Sequence, residues 1–466
     1  MFAHLLKKEI FDNLVSARFL LIFLMCSVLV MLSLLIGMDD YRHARQHYDA
    51  SVAQMKTTAS QQVSFQALGV WGMFKVYRQP SVLFPFAKGV EEASGSNSIV
   101  SIFHEPKLQD SRYSTEPVYA QFSSLDFLFV VKVIIALFAL MLTFDLISGE
   151  AERGTLKLVL ANPVPRTTVL HAKLAGALLS LLLPLFIPIL LGMMFMQLSG
   201  HLLWQAEHWG RILLFLGSAM LYLAIFVVLG LLFSALVQRS SDAFLWLILC
   251  WLLSVWVIPR FSLFIANAVT AVPPSYEIER QKGEIDRQAY RDSESRLQQW
   301  LLQHPEFTEV PHDVVGQVNG EFQKQAQQHK RQLDESYGAK QQQRIQFALW
   351  FARISPSAAF ENIALVLSQT DMSRQQHFLE QIKLYRHDFQ RYISAKMVEE
   401  RRLQLTGQAG DTAGKLDLTG MPELRVKATT LWRDLSQLTA DFAVLLCYLT
   451  CGIVACYRSF LRYQLT

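Results

Sequence analysis

Apolar residues along the chain gather in six blocks, at about 19–37, 126–146, 170–198, 211–236, 243–262 and 438–457, each of bilayer-crossing length. A membrane-spanning helix needs roughly 20 such residues at about 1.5 Å rise each. Ahead of the first block, Phe2, Leu6, Ile10 and Leu14 recur every fourth residue, with Lys7, Lys8, Glu9, Asp12 and Asn13 around them. That spacing predicts an amphipathic helix over residues 1–18, lying at the membrane interface. The first block is too long for the apolar core of a signal peptide, and no small-x-small cleavage pattern follows Gly37, so it is expected to be a retained span.

Between the blocks the pattern turns polar. Residues 38–125 open with a polar helical run and then break at Pro80, Pro85, Gly89, the Gly95 to Ser98 cluster and Pro106, which predicts mixed structure. Residues 263–436 are rich in Gln, Arg and Glu, with helical periodicity over 277–303, 314–350, 357–367 and 373–404. Pro305, Pro311 and Pro356 punctuate them, and 406–420 reads as a polar loop. The long Gln-rich helices fit either a coiled-coil-like hairpin or an ordinary helical domain, and no strict heptad decides between them. The expected fold is an all-α polytopic membrane protein. Its parts are the interfacial helix 1–18, the first span 19–37, an outer domain 38–125, spans two to five within 126–262, a mainly helical outer domain 263–436, and a sixth span with a short tail over 437–466.

Composition agrees with that division. Only 18% of the 466 residues are charged and 52% are hydrophobic, where soluble domains carry roughly 25% charge. A soluble enzyme, a disordered chain and a secreted disulfide scaffold are excluded. All five cysteines, Cys26, Cys250, Cys447, Cys451 and Cys456, fall in apolar blocks, so no disulfide staples the outer segments and no zinc knuckle is available. Cys447 and Cys451 share a helix face and read as small packing residues.

Charge gives the orientation. Residues 38–125 hold eight basic and eight acidic side chains, and residues 263–436 hold 22 of each, so both large segments are neutral. The net charge of +4 therefore belongs to the membrane part. Lys7, Lys8, Arg18, Arg153, Lys157, Arg166, Lys173, Arg239, Arg458 and Arg462 all lie where an N-terminus-inside topology puts cytoplasm, and the short loop 199–210 has no Lys or Arg. By the positive-inside rule both termini are expected in the cytoplasm, with both large segments outside. Neutral loops also speak against nucleic acid as a partner.

The most informative stretch lies between the second and third blocks, within residues 147–168. Glu150 and Arg153 stand one turn before Gly154, which permits a helix break, and Thr155 is placed to cap a new short helix. Asn162 and Pro163 end that helix, and Thr167 or Thr168 is placed to cap the next span. Leu156, Leu158, Val159 and Leu160 then sit on the cytoplasmic side, where exposed apolar residues need a partner or the bilayer.

This stretch resembles the membrane subunits of type-2 ABC exporters, whose pattern Glu-x-x-x-Gly-Thr-Leu, a few apolar residues and Pro-x-x-Arg is matched by Glu150, Gly154, Thr155, Leu156, Pro163 and Arg166. The interfacial helix and the six spans are also similar to that family. The resemblance implies that the short helix is a coupling helix, with Glu150, Arg153, Gly154, Thr155, Leu156, Leu158, Pro163 and Arg166 serving a separate cytoplasmic ATPase. It further implies two copies of that ATPase, a second permease as homodimer or heterodimer, and a multi-pass place in the bacterial cytoplasmic (inner) membrane. ATP and Mg would be held by the partner, with no cofactor on this chain and ATPase activity expected only in the partner. The large outer segments are more similar to permeases associated with gliding motility and copper-enzyme maturation. That likeness rests on Ser355-Pro356-Ser357-Ala358-Ala359-Phe360, Thr370-Asp371 and Tyr385-Arg386.

Other chemistry is sparse. The string Gly410-Asp411-Thr412-Ala413-Gly414-Lys415-Leu416 is one residue short of a phosphate-binding P-loop and reads as a loop. Lys132, about two turns inside the second span, either snorkels outward or meets an anionic substrate or headgroup. Pro184 and Pro188 in the third span each remove a backbone donor, for gating or for simple packing. His43 and His47 beside Asp39 and Asp40, and Met193, Met194 and Met196 near His201 and His208, are read as polar surface and packing rather than metal ligands. No catalytic and no metal-binding residue is expected. Three functions fit: an ATP-driven permease exporting or handling a substrate outside the membrane, a mechanotransmission subunit driving an extracytoplasmic protein partner without cargo, and a membrane scaffold or enzyme without an ATPase.

Overall fold

The computed structural model describes residues 2–62, 64–70, 74–91, 95–102, 106, 108–109, 126–161, 163–198, 205–405, 416–424, 426 and 429–462. Packing divides the chain into two compact units, Met1–Val255 with Pro356–Thr466, and Trp256–Ser355. This division follows contact rather than hydropathy, and its first cut falls inside the fifth apolar helix.

In the larger unit, α1 (Phe2–Val15) is followed at once by α2 (Ala17–Ser60). The Ser16 hydroxyl caps α2 by accepting from the Phe19 amide at 3.2 Å. Its 44 residues run without a break, a length of ~66 Å, so the helix carries the first apolar block and continues through the polar run that follows. Asp126 starts α4 by accepting from the Phe129 amide at 2.8 Å. This helix consists of Phe127–Phe129, a π-helical Val130–Ile135 and Ala136–Thr143. After it come α5 (Ser148–Glu152), α6 (Thr155–Ala161), α7 (Arg166–Leu198), α8 (Ala206–Leu236) and α9 (Ser240–Val269). Among the described residues, six helices are long and apolar enough to cross a membrane: Ala17–Ser60, Phe127–Glu152, Arg166–Leu198, Ala206–Leu236, Ser240–Val269 and Leu431–Leu461. Each apolar block of the sequence sits in one of them, as an all-α polytopic protein requires. The third begins at Arg166, ahead of the threonines placed to cap it, with the Pro165 carbonyl accepting from the Thr168 amide.

At the centre of this bundle is α8, whose Tyr222, Leu223, Phe226, Val227 and Leu231 are fully enclosed. It packs against α4, α12 (Pro356–Leu367) and α14 (Leu431–Leu461), while α7 packs against α1 and α2. Phe360 of α12 stacks on Tyr222 at 4.7 Å, and the Tyr222 hydroxyl donates to the Lys132 carbonyl at 2.7 Å. Pro184 and Pro188 both lie on the buried side of an uninterrupted α7.

The first polar segment has mixed structure, as its turn residues predict. After α3 (Phe65–Val70) come three short antiparallel strands, β1 (Phe74–Tyr77), β2 (Asn97–Val100) and β3 (Leu108–Gln109), in the order β1-β2-β3. Phe74 pairs with Val100, and Asn97 pairs with both Tyr77 and Gln109. Helix α13 (Met372–Leu405), from the second polar segment, packs on α3 and β2. Phe65, Leu68, Val76 and Val100 thus share a core with Phe378, Ile382, Phe389 and Ile393. Parts of the two polar segments, far apart in sequence, thus share one core. Arg386 ties them, donating to the Ser101 and Ile102 carbonyls at 2.9 Å each. Burial pushes the Tyr385 phenol well above its ordinary pKa, with Glu423 adding to the shift, and its hydroxyl donates to the Pro422 carbonyl at 3.1 Å.

The smaller unit is a helical hairpin. Its two long helices, α10 (Ser275–Gln303) and α11 (His312–Ala352), are joined by the turn between them, and Ile258–Val269 packs along α11. Lys282 meets Asp334 at 2.6 Å and Lys330 meets Asp286 at 2.6 Å. Moving four residues along one helix moves the partner four residues back on the other, which is antiparallel register. Of the two expectations for the Gln-rich helices, the hairpin is the one the structure has. Burial lowers the Lys282 pKa, but the hydrogen bond and charge of Asp334 outweigh it and the net shift is upward.

Phe389, enclosed and stacked on Phe74 at 5.3 Å, provides the test of the shared core. Phe389→Ala should cost about 3–5 kcal/mol, read as earlier thermal unfolding and faster proteolysis of residues 38–125 in the full chain.

Candidate functional site

The turn between the second and third spans breaks where the sequence predicts. Gly154 has φ +74°, a left-handed conformation that suits glycine. The short helix α6 follows, and Pro163 lies outside it; Asn162 lies outside the described residues. Thr155 differs from expectation. It is the first residue of α6 rather than its cap, and its hydroxyl donates back to the Glu150 carbonyl at 3.2 Å, closing the turn across the glycine. Arg153 folds the same way, its Nε donating to the Gly149 carbonyl at 2.9 Å.

Neighbouring leucines of α6 face opposite ways. Leu156 is 0% exposed and packs with Ile147, Val169, Leu231 and Phe460, whereas Leu158 is 69% exposed. The periodicity of so short a helix does not separate the two roles. Packing against the span ends does.

Glu150 reaches inward. Its Oε1 lies 2.8 Å from the Lys173 ammonium on α7 and 4.0 Å from that of Lys8 on α1. Lys173 is 1% exposed and also meets Glu9 of α1 at 3.1 Å. A Cβ on Gly176 would stand 2.8 Å from the Glu9 Cβ, so glycine on α7 lets α1 approach closely enough for its carboxylate to reach the lysine. The face of α1 turned to the bundle is thus led by buried Glu9, with Asn13 donating to Ser180 at 3.3 Å. The predicted stripe is only partly enclosed at Leu6, Ile10 and Leu14, and Phe2 and Phe11 are exposed. Glu150 Oε2 is buried with no hydrogen-bond partner among the described residues.

The remaining ties reach every other span. Asp145 takes Arg18 at the start of α2 at 2.6 Å, with the guanidinium over the Phe144 ring. The Ser234 hydroxyl at the end of α8 accepts from the Ile147 and Ser148 amides at 3.0 Å each. Glu152 Oε1 accepts from the Ser240 amide at 2.7 Å, placing an anion at the N-terminus of α9, where the helix dipole favours it. Arg166 donates to the Leu461 carbonyl at 3.0 Å, a cation at the C-terminus of α14. Residues 145–166 therefore bond to α1 and to the ends of all five other spans. Sequence reading singled out Glu150, Arg153, Gly154 and Arg166, but missed Glu9, Asp145, Glu152, Lys173 and Ser234. Their only sequence signal was charge or hydroxyl next to an apolar block.

A family model described as ABC-2 family transporter protein matches residues 3–465. The chain belongs to the ABC-2 transporter family. It is the multi-pass membrane subunit of an ABC transporter, in a family whose members work with a cytoplasmic ATPase and the lipid bilayer. No curated protein matches this ABC-2 family chain.

Other predicted positions lie apart from the turn. Lys132 has a partner within the protein, its ammonium lying 2.9 Å from Glu361 of α12, and the side chain is 17% exposed. Arg211 of α8, which sequence reading passed over, meets Asp434 at 2.7 Å and Glu207 at 3.1 Å. His43 lies 3.5 Å from Asp39. His201 and the string Gly410 to Lys415 are outside the described residues.

Lys173 carries the first test of this ABC-2 subunit. Lys173→Met leaves Glu9 and Glu150 buried beside each other, and should cost about 3–5 kcal/mol. Adding Glu9→Gln should recover part of the loss, both read by denaturant unfolding in detergent. Gly154→Ala meets open space and should cost only the left-handed backbone strain, about 1–2 kcal/mol.

Proposed function

We propose that this ABC-2 subunit couples ATP hydrolysis by a separate cytoplasmic ATPase, held in two copies, to export or extracytoplasmic handling of a substrate, working with a second permease as homodimer or heterodimer. The observation that carries this reading is that residues 145–166 bond to the interfacial helix and to every other span. A push on that segment reaches the whole bundle at once. Leu158 supplies an exposed apolar contact for the ATPase, and Leu156 anchors the same helix to the spans. Coupling requires the ATPase to bind the bundle's alternative states with different affinity, because a ligand shifts an equilibrium only by that difference. ATP and Mg are held by the partner. Ten basic side chains at the inner span ends support the N-terminus-inside orientation, in a bacterial cytoplasmic membrane, with the polar segments outside.

A second reading, mechanotransmission to an extracytoplasmic protein, has its own support. Helix α2 is unbroken from the inner interface to Ser60, and its Met55 and Ala59 belong to the core of the outer domain. Motion of the first span is motion of that core. In vesicles containing both subunits, ATP hydrolysis that moves no substrate while the outer domain changes its proteolysis pattern would favour this reading over cargo transport.

Leu158→Asp should abolish co-purification with the ATPase and its permease-stimulated hydrolysis while leaving thermal unfolding unchanged. Leu156→Ala should instead lower stability by about 2–5 kcal/mol. Full retention of stimulated hydrolysis in both Leu158→Asp and Gly154→Pro would overturn the coupling role.

A further inference from the structure

The hairpin of α10 and α11 divides its charges by position. Along the shaft, both signs mix and pair, as in Lys282 with Asp334 and Lys330 with Asp286. Between Arg296 and Lys324 there is no Lys or Arg, while Glu306, Glu309, Asp313 and Glu321 all fall there. The closed end of a hairpin whose shorter arm has 29 residues, ~43 Å long, is therefore uniformly acidic.

The same end carries apolar surface on a fixed frame. Trp300 stacks on His304 at 4.2 Å and packs against Phe307 at 5.4 Å. The His304 amide donates to the Trp300 carbonyl at 3.1 Å and the Phe307 amide to the His304 carbonyl at 3.1 Å. Pro311 leads directly into α11. On this frame Leu302 is 83% exposed and Phe307 45%. Ordered aromatic and aliphatic anchors ringed by one sign of charge are the composition of a protein-binding surface, where apolar contacts supply affinity and rim charge supplies partner choice.

We propose that the hairpin tip, residues 297–323, is a docking surface for a partner protein that presents an apolar pocket rimmed by Lys and Arg. The acidic rim selects against the two other occupants of an apolar tip. An anionic lipid surface attracts basic segments and repels this one. A second copy of the chain would bring two acidic rims together. The proposal rests on the outward placement of the hairpin for the compartment of the partner, but not for its chemistry.

The test uses the full-length chain in its native membrane. A photo-reactive phenylalanine analogue replaces Leu302, Phe307 or, as a shaft control, exposed Tyr290. The tip positions should each give one discrete crosslink to a different protein, and the shaft position should not. That protein, purified, should bind the full-length chain in lipid nanodiscs, more weakly as salt rises. Binding should weaken by about ten-fold or more in Glu306→Lys/Glu309→Lys/Asp313→Lys, with thermal unfolding unchanged. Crosslinks only to lipid, only to a second copy or to nothing would overturn the proposal, as would equal binding by the charge-reversed chain. A cytoplasmic protein with the same charge dependence would keep the docking surface and overturn the outward placement.

Discussion

A lysine ammonium enclosed among apolar spans has to be answered by carboxylates, and where those carboxylates come from decides how this end of the bundle is assembled. Lys173 draws one from α1 and one from the turn after the second span. Removing two charges from water costs several kcal/mol per ion unless the geometry repays it. Glu9 can therefore be buried only when α1 lies on α7 at Gly176, and Glu150 only when the turn is folded. Each element makes the other's charge tolerable, so the interfacial helix and the turn are set together.

The opposite half of the bundle obeys the same constraint with different residues. Lys132 is answered by Glu361, Arg211 by Asp434 and Glu207, and Asp441, buried in the sixth span, accepts from Asn362 at 2.8 Å. Two of these partners, Glu361 and Asn362, come from α12. That short helix belongs by hydropathy to a polar segment, yet Phe360 and Ile363 bury it against α8 and α14. Polar groups inside a bilayer-spanning bundle need internal partners, and α12 supplies them.

Much of this was legible in the sequence because it depends on local pattern. Six apolar blocks gave six long helices, and the break at Gly154 followed from a residue that tolerates positive φ. Pro163 falls after the short helix as expected. What could not be read depends on which distant residues meet. Lys173 counted as one more inner cation, and nothing local says that it is enclosed while Lys8 is half exposed. Leu156 and Leu158 look alike until the span ends pack on one and not the other. Lys132 meets a partner 229 residues away, which no local pattern announces. The core shared by the two polar segments was hidden for the same reason, since Phe74 and Phe389 sit in segments separated by four spans.

Helix α2 joins two places where the chain has distant partners, Arg18 against Asp145 at one end and Met55 with Ala59 in the core shared by the polar segments at the other. An unbroken helix of that length multiplies displacement. A tilt of about 10° pivoting near Arg18 would carry the far end of a ~66 Å helix by ~11 Å. A small angular change at the Arg18 end thus becomes a displacement larger than a side chain at Met55 and Ala59, with the amplification set by helix length alone.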